Sequence, residues 1–302
     1  MILWDYEDWS GARDWTNAQE HFLLTGPFLL WATLICSQTA AWAVAWRLLA
    51  KERKGLEPLW ERRLVVPGLV LWLAAVGGAW AGAWGPAHAH WDSYEYLDHR
   101  VIKIGILGLI GATVAMYGVL GIWAVYRRLK QMFDDGGLGL KDVPRYLVLQ
   151  AKLRLLLLIV GSLLGLTILT VGAERNAVTA WAEPSCPSTT PLQTFVLGPA
   201  HCDAHFPAEY MLIYGFFFTV LLAFAYFPAQ LALLSVGRRI RDSVASLADL
   251  TPVNLVGRRA EREALDELLD LKLGTFGDFR AGLAILTPLI GSLTGLLFGT
   301  GG

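Results

Sequence analysis

The sequence predicts an all-α fold: a polytopic integral membrane helical bundle of about six transmembrane helices with a small helical cytoplasmic cap. Three observations predict it. Of the 302 residues 55% are hydrophobic and only 17% are charged, well below the roughly 25% of soluble domains. The apolar residues gather into six runs, and a bilayer core of about 30 Å needs roughly 20 such residues per helical crossing. No polar stretch exceeds about 45 residues, and a chain shorter than about 40 rarely folds unaided, so no soluble domain of ordinary size is expected.

Taken in order, residues 1–21 are acidic and aromatic, with Asp5, Glu7, Asp8, Asp14 and Glu20 set among Trp4, Tyr6, Trp9 and Trp15. They lack the basic start and small-residue cleavage site of a secretory signal, so the first span, 21–46, is expected to be retained. It carries the polar run Cys36-Ser37-Gln38-Thr39. The second span covers 64–83 and the third 101–126, beyond which the pair Gly136-Gly137 breaks the helix. The fourth covers 155–171. The fifth, 211–236, contains Pro228, which a membrane helix tolerates where neighbours satisfy the freed carbonyl. Residues 1–237 therefore read as a five-span membrane bundle with exported loops at 84–100 and 174–209.

Residues 238–280 form a cytoplasmic amphipathic helical segment. Its second half sets Leu265, Leu268, Leu269 and Leu273 against Glu261, Arg262, Asp266, Glu267 and Asp270, a helical period. Residues 281–302 read as a short sixth span or a re-entrant helix, interrupted by Pro288.

Charge orients the bundle. Segments 47–63, 127–154 and 238–280 hold 6, 7 and 8 of the 25 Lys and Arg residues, whereas 1–21, 84–100 and 174–209 hold one each. Short loops rich in Lys and Arg stay in the cytoplasm, which places the chain in the cell (inner) membrane with both termini outside. Cys186 and Cys202 then share an exported loop and are expected to form a disulfide. Closing that loop contributes roughly 3 kcal/mol on the chain-entropy estimate.

The function expected from this pattern is an oligomeric channel or pore, as a free-standing protein or as the membrane effector of a larger system. Glycines four apart let helix backbones approach closely, and Gly78 with Gly82, Gly161 with Gly165, and Gly291, Gly295 and Gly299 have that spacing. In the terminal helix Thr287, Gly291 and Thr294 share one face and are candidate pore-lining residues, with Ser37 and Gln38 of the first span as rivals. The spans hold no Asp, Glu or Arg at mid-depth, which counts against ion-coupled transporters and pumps.

All six histidines fall in the predicted exported segments or at their boundary. Of these, His88, His90, His201 and His205 are candidate ligands for a metal or haem, since imidazole suits zinc, copper and iron. The stretch from Trp84-Gly85 to Trp91-Asp92 is similar, over fewer than ten residues, to the tryptophan-rich exported stretch of haem-handling membrane proteins. Metal or haem handling through the outward-facing histidines is the alternative function. A third possibility is a structural subunit of a membrane complex.

No phosphate-binding loop, nucleophile elbow or zinc-protease motif is present, so nothing in the chain marks an enzyme. A net charge of -1 gives no attraction to nucleic acid. The partners expected are the lipid bilayer and further copies of the chain or a membrane complex.

Overall fold

The computed structural model describes residues 26–53, 66, 68–70, 72–73, 76–77, 95–182, 208–245, 255–271 and 275–299. Among the described residues there is no strand. The chain forms α1 (Gly26–Arg53), α2 (Glu95–Asp135), α3 (Val143–Ala182), α4 (Ala208–Val244), α5 (Leu255–Leu268) and α6 (Thr275–Gly299), with one 3-10 turn at Leu140–Asp142. Helices α1 to α4 are long and apolar enough to cross a membrane, and α6 holds a shorter apolar stretch, Gly282–Thr294. These are the lengths and compositions of a multi-pass membrane protein. A count of six spans is not reached among the described residues: 64–83 is described at only a few positions, and the apolar stretch of α6, Gly282–Thr294, is shorter than the other four.

The helices outrun the spans expected from hydropathy. Hydropathy marks where lipid lies, whereas a helix ends only where the backbone is made to turn. Helix α2 continues 41 residues to Asp135 and stops there because Gly136 and Gly137 adopt φ of +67° and +60°, the left-handed conformation of a helix C-terminus. Pro144 then sits in the first turn of α3, where its missing N–H costs nothing. Helix α3 runs 40 residues, far beyond the expected span 155–171. The stretch from Glu174 to Ala182, expected as the start of an exported loop, is therefore helical.

Close contacts establish how the helices run relative to one another. Trp42 lies on Gly111 and Leu49 near Gly118, so α1 and α2 run in the same direction. Val160 lies on Gly118 and Leu156 on Gly121, so α3 runs against α2. Helix α6 is parallel to α3, with Ala284 against Gly161 and both Thr287 and Gly291 against Gly165. Helix α4 opposes both, since Gly237 meets Tyr146 while Gly215 meets Ser292. From α2 onward the helices α2, α3, α4 and α6 thus alternate in direction.

One end of the bundle gathers the C-termini of α1, α2 and α4 and the N-terminus of α3. Lys152 pairs with Glu52 at 3.0 Å and also donates to its backbone carbonyl. Arg239 donates to the carbonyl of Phe133 at 2.6 Å while its guanidinium lies 3.8 Å from the centre of that ring. The last turn of α2 is thus capped by a cation, as its exposed carbonyls require.

The core runs through α1 to α4, with Leu49, Ile122, Val125, Leu129, Tyr146, Leu153, Leu222 and Ile240 at or below 2% exposure. Inside a bilayer, dispersion and close backbone approach replace the hydrophobic effect as the force between helices. Small residues at the crossings are the structural consequence.

Candidate functional site

Two places bring polar side chains together: a buried seam between α1 and α3, and the joint that fastens α5 to the bundle.

The seam begins at Gln38. This side chain is 6% exposed and its Nε2 donates at 2.8 Å to the hydroxyl of Thr167, whose own hydrogen goes to the carbonyl of Leu163. Thr170 and Glu174 follow on α3, three and seven residues on, so they lie on the same face as Thr167. Both are 7% exposed. Thr170 spends its hydrogen on the carbonyl of Leu166. The Glu174 Oε1 is fully enclosed and has no hydrogen-bond partner. Two turns along α1 from Gln38, Phe28 and Trp31 pack with Ala173 and Ala177 in a small apolar cluster. Small residues at 173 and 177 let the aromatic rings close over the helix there.

Of these residues, sequence reading singled out only Gln38. Thr167, Thr170 and Glu174 were legible as an i, i+3, i+7 pattern, but the charge of Glu174 reads as the end of an apolar run. Because Gln38 bonds across helices, a cycle of Gln38→Leu and Thr167→Val is expected to give a coupling of about 0.6 kcal/mol in detergent unfolding, the typical interhelical value. Additive effects of the two changes would show that the bond contributes nothing.

The joint is built from the end of α5. The Leu271 N–H bonds to the Asp266 carbonyl at 2.8 Å, the Asp270 N–H bonds to that of Glu267 at 3.1 Å, and Asp270 has φ of +52°. This is a Schellman motif, with an aspartate where glycine is usual. The Leu269 carbonyl accepts from Tyr146 Oη at 3.2 Å and from Gln150 Nε2 at 3.4 Å. Asp270 pairs with Arg154, Asp266 with Arg241 at 3.0 Å, and Arg262 with Asp242 at 2.7 Å. Leu269 is fully buried and Leu265 nearly so, whereas Val256 at the other end of α5 is 77% exposed. The cap is therefore held by its C-terminal half.

The other sequence candidates fall as follows. Thr287 and Gly291 pack on Gly165, and the exposed face of α6 carries Leu283, Leu286, Ile290 and Leu293. The Thr294 hydroxyl bonds to the Ile290 carbonyl. Gly161 meets the carbonyl of Ala284, which Pro288 deprives of its usual helical donor. Ser37 is exposed and bonds back to the Thr33 carbonyl. Gly295 and Gly299 belong to α6. Gly78, Gly82, Cys186, Cys202, His88, His90, His201 and His205 lie outside the described residues. Among the described residues no three His, Cys, Asp or Glu side chains group as for a metal.

The chain matches no protein-family model, and neither a curated protein nor a solved structure is similar to it. Its function has to be argued from its own residues.

Proposed function

We propose that the chain is the subunit of an oligomeric channel in a cell membrane, with six spans, both termini outside and the α5 cap in the cytoplasm. The observation that supports this reading is the exposed face of α1. There Thr33, Cys36, Ser37, Thr39, Ala40 and Ala43 form a small, hydroxyl-bearing patch midway along the helix, bounded by exposed Leu29 and Leu30 on one side and Val44, Trp46 and Leu48 on the other. The three hydroxyls bond back to the carbonyls of Leu29, Thr33 and Ile35, leaving their oxygens outward. Elsewhere the exposed faces suit lipid tails, with Ile213, Phe216, Val220, Phe224, Phe227 and Leu231 on α4. A face of small hydroxyl residues at membrane depth suits a neighbouring subunit or a file of water better than acyl chains. The orientation rests on the cations gathered at the α5 end of the bundle.

Cys36, free and exposed, is a native reporter on that face. In proteoliposomes a charged thiol reagent is expected to modify Cys36 and to reduce ion flux, while Cys36→Ser conducts and is insensitive. A protein that is monomeric in detergent and passes no ions once reconstituted in liposomes would overturn the channel. Reaction of Cys36 with an apolar maleimide alone would show that the face meets lipid.

A further inference from the structure

We infer that Glu174 is a binding site for one monovalent cation, a proton or an alkali metal ion. The inference is independent of the channel reading, because it rests on the buried face of α1 and not on the exposed one.

Glu174 projects from the face of α3 that meets α1, two turns beyond the Gln38–Thr167 bond. It lies roughly 20 residues, or about 30 Å, along the helix from Arg154 and so near the opposite boundary of a bilayer core. Its Oε1 is sealed from solvent and receives no hydrogen bond. The α1 side chains at this height, Phe28, Trp31, Leu34 and Ile35, are apolar in their contacts and carry no charge. From Ala281 onward α6 has no titratable residue. On α3 itself Arg175 follows, about 100° around the helix. The other acidic and basic residues near this end are Glu95, Asp98, His99, Arg100 and Lys103 in the first turns of α2 and Glu209 in the first turn of α4.

A nearly buried carboxylate with an enclosed oxygen that receives no hydrogen bond is costly to keep as a bare anion. Among the described residues none is seen to supply the missing positive charge, and a bound cation would supply it. The site offers one negative charge, so a single proton, or one alkali ion that keeps part of its water beside the carboxyl group and the Thr170 hydroxyl one turn away, balances it, whereas a divalent ion would leave a buried net positive charge.

The test uses the full-length wild-type protein in liposomes and the apolar reagent dicyclohexylcarbodiimide, which attacks protonated carboxyl groups in apolar surroundings. Modification is read by peptide mass spectrometry, with the exposed Glu261 and Glu267 as internal standards. Labelling is expected at Glu174 in preference to both. Loss of labelling by about tenfold per pH unit above its midpoint, with no effect of salt, identifies the ligand as a proton. Protection by sodium or potassium at constant pH identifies an alkali ion. Glu174→Gln should abolish the label and make thermal stability insensitive to the protecting ion. Failure to label Glu174 at any pH, or labelling that neither pH nor salt alters, would overturn the site. Both outcomes are read without any measurement of ion flux.

Discussion

Replacing Gly161 with leucine is expected to unseat α6 and to destabilise the protein by about 3 kcal/mol or more, the upper end of overpacking costs. An added Cβ at Gly161 would stand 2.5 Å from the carbonyl oxygen of Ala284, which is backbone and cannot rotate away. That carbonyl points at Gly161 because Pro288, four residues on, has no N–H to offer it. The glycine hydrogens are then the nearest weak donors, so the proline in α6 and the glycine in α3 form one feature. The same change at Gly108, where nothing lies within 4 Å, supplies the comparison. Gly108→Leu is expected to be neutral or to stabilise by a few tenths of a kcal/mol through helix propensity. Unfolding in detergent, followed by tryptophan fluorescence, measures both. Equal effects at the two positions would mean that α6 does not rest on α3 as described.

Gly161 and Gly165 show what the sequence made legible. Their spacing announced a close helix approach, and the structure supplies the partner, α6, which no pattern in the sequence names. The apolar runs located α1, α2, α3 and α4 because lipid exposure demands continuous apolar surface whatever the neighbours. The lengths of α2 and α3 were not legible in that way, since a helix continues through charged residues until the backbone is made to turn. Gly136 and Gly137 were the exception, being the stop itself.

The seam was half legible for a related reason. Gln38 stands out as polar in an apolar run, whereas Glu174 sits where the run ends and resembles the first residue of a loop. Only the continuation of α3 to Ala182 turns it inward beside Thr170 and Thr167. The partners of the joint, Arg241 with Asp266 and Arg154 with Asp270, stand 25 and 116 residues apart. Charge counting placed all four on one side of the membrane but had no means of pairing them.

The cap should come loose when Leu269 is cut back to alanine. Leu269 is fully buried where α5 ends against α3, and its carbonyl collects the Tyr146 hydroxyl and the Gln150 amide, while Leu271 lies on Gly237 of α4. A buried Leu→Ala change costs about 2 to 5 kcal/mol, so opening of the joint becomes about 30-fold or more easier. Its neighbour Leu268 is 53% exposed and its truncation should cost little. Hydrogen exchange of the amides in α5 reads the difference directly, with fast exchange expected in Leu269→Ala and near-wild-type rates in Leu268→Ala. The ion pairs alone cannot hold the helix. Arg258 and Glu261 are 41% and 48% exposed, and such a pair contributes only a few tenths of a kcal/mol. Arg241 and Asp266, at 17% and 21%, form the better-shielded contact and should couple more strongly in a double-mutant cycle. Because α6 follows within a few residues of the joint, release of Leu269 should also raise exchange in the first turns of α6. Rapid exchange confined to α5 would show that the cap and the terminal helix move independently, and the joint would then be an anchor for α5 alone.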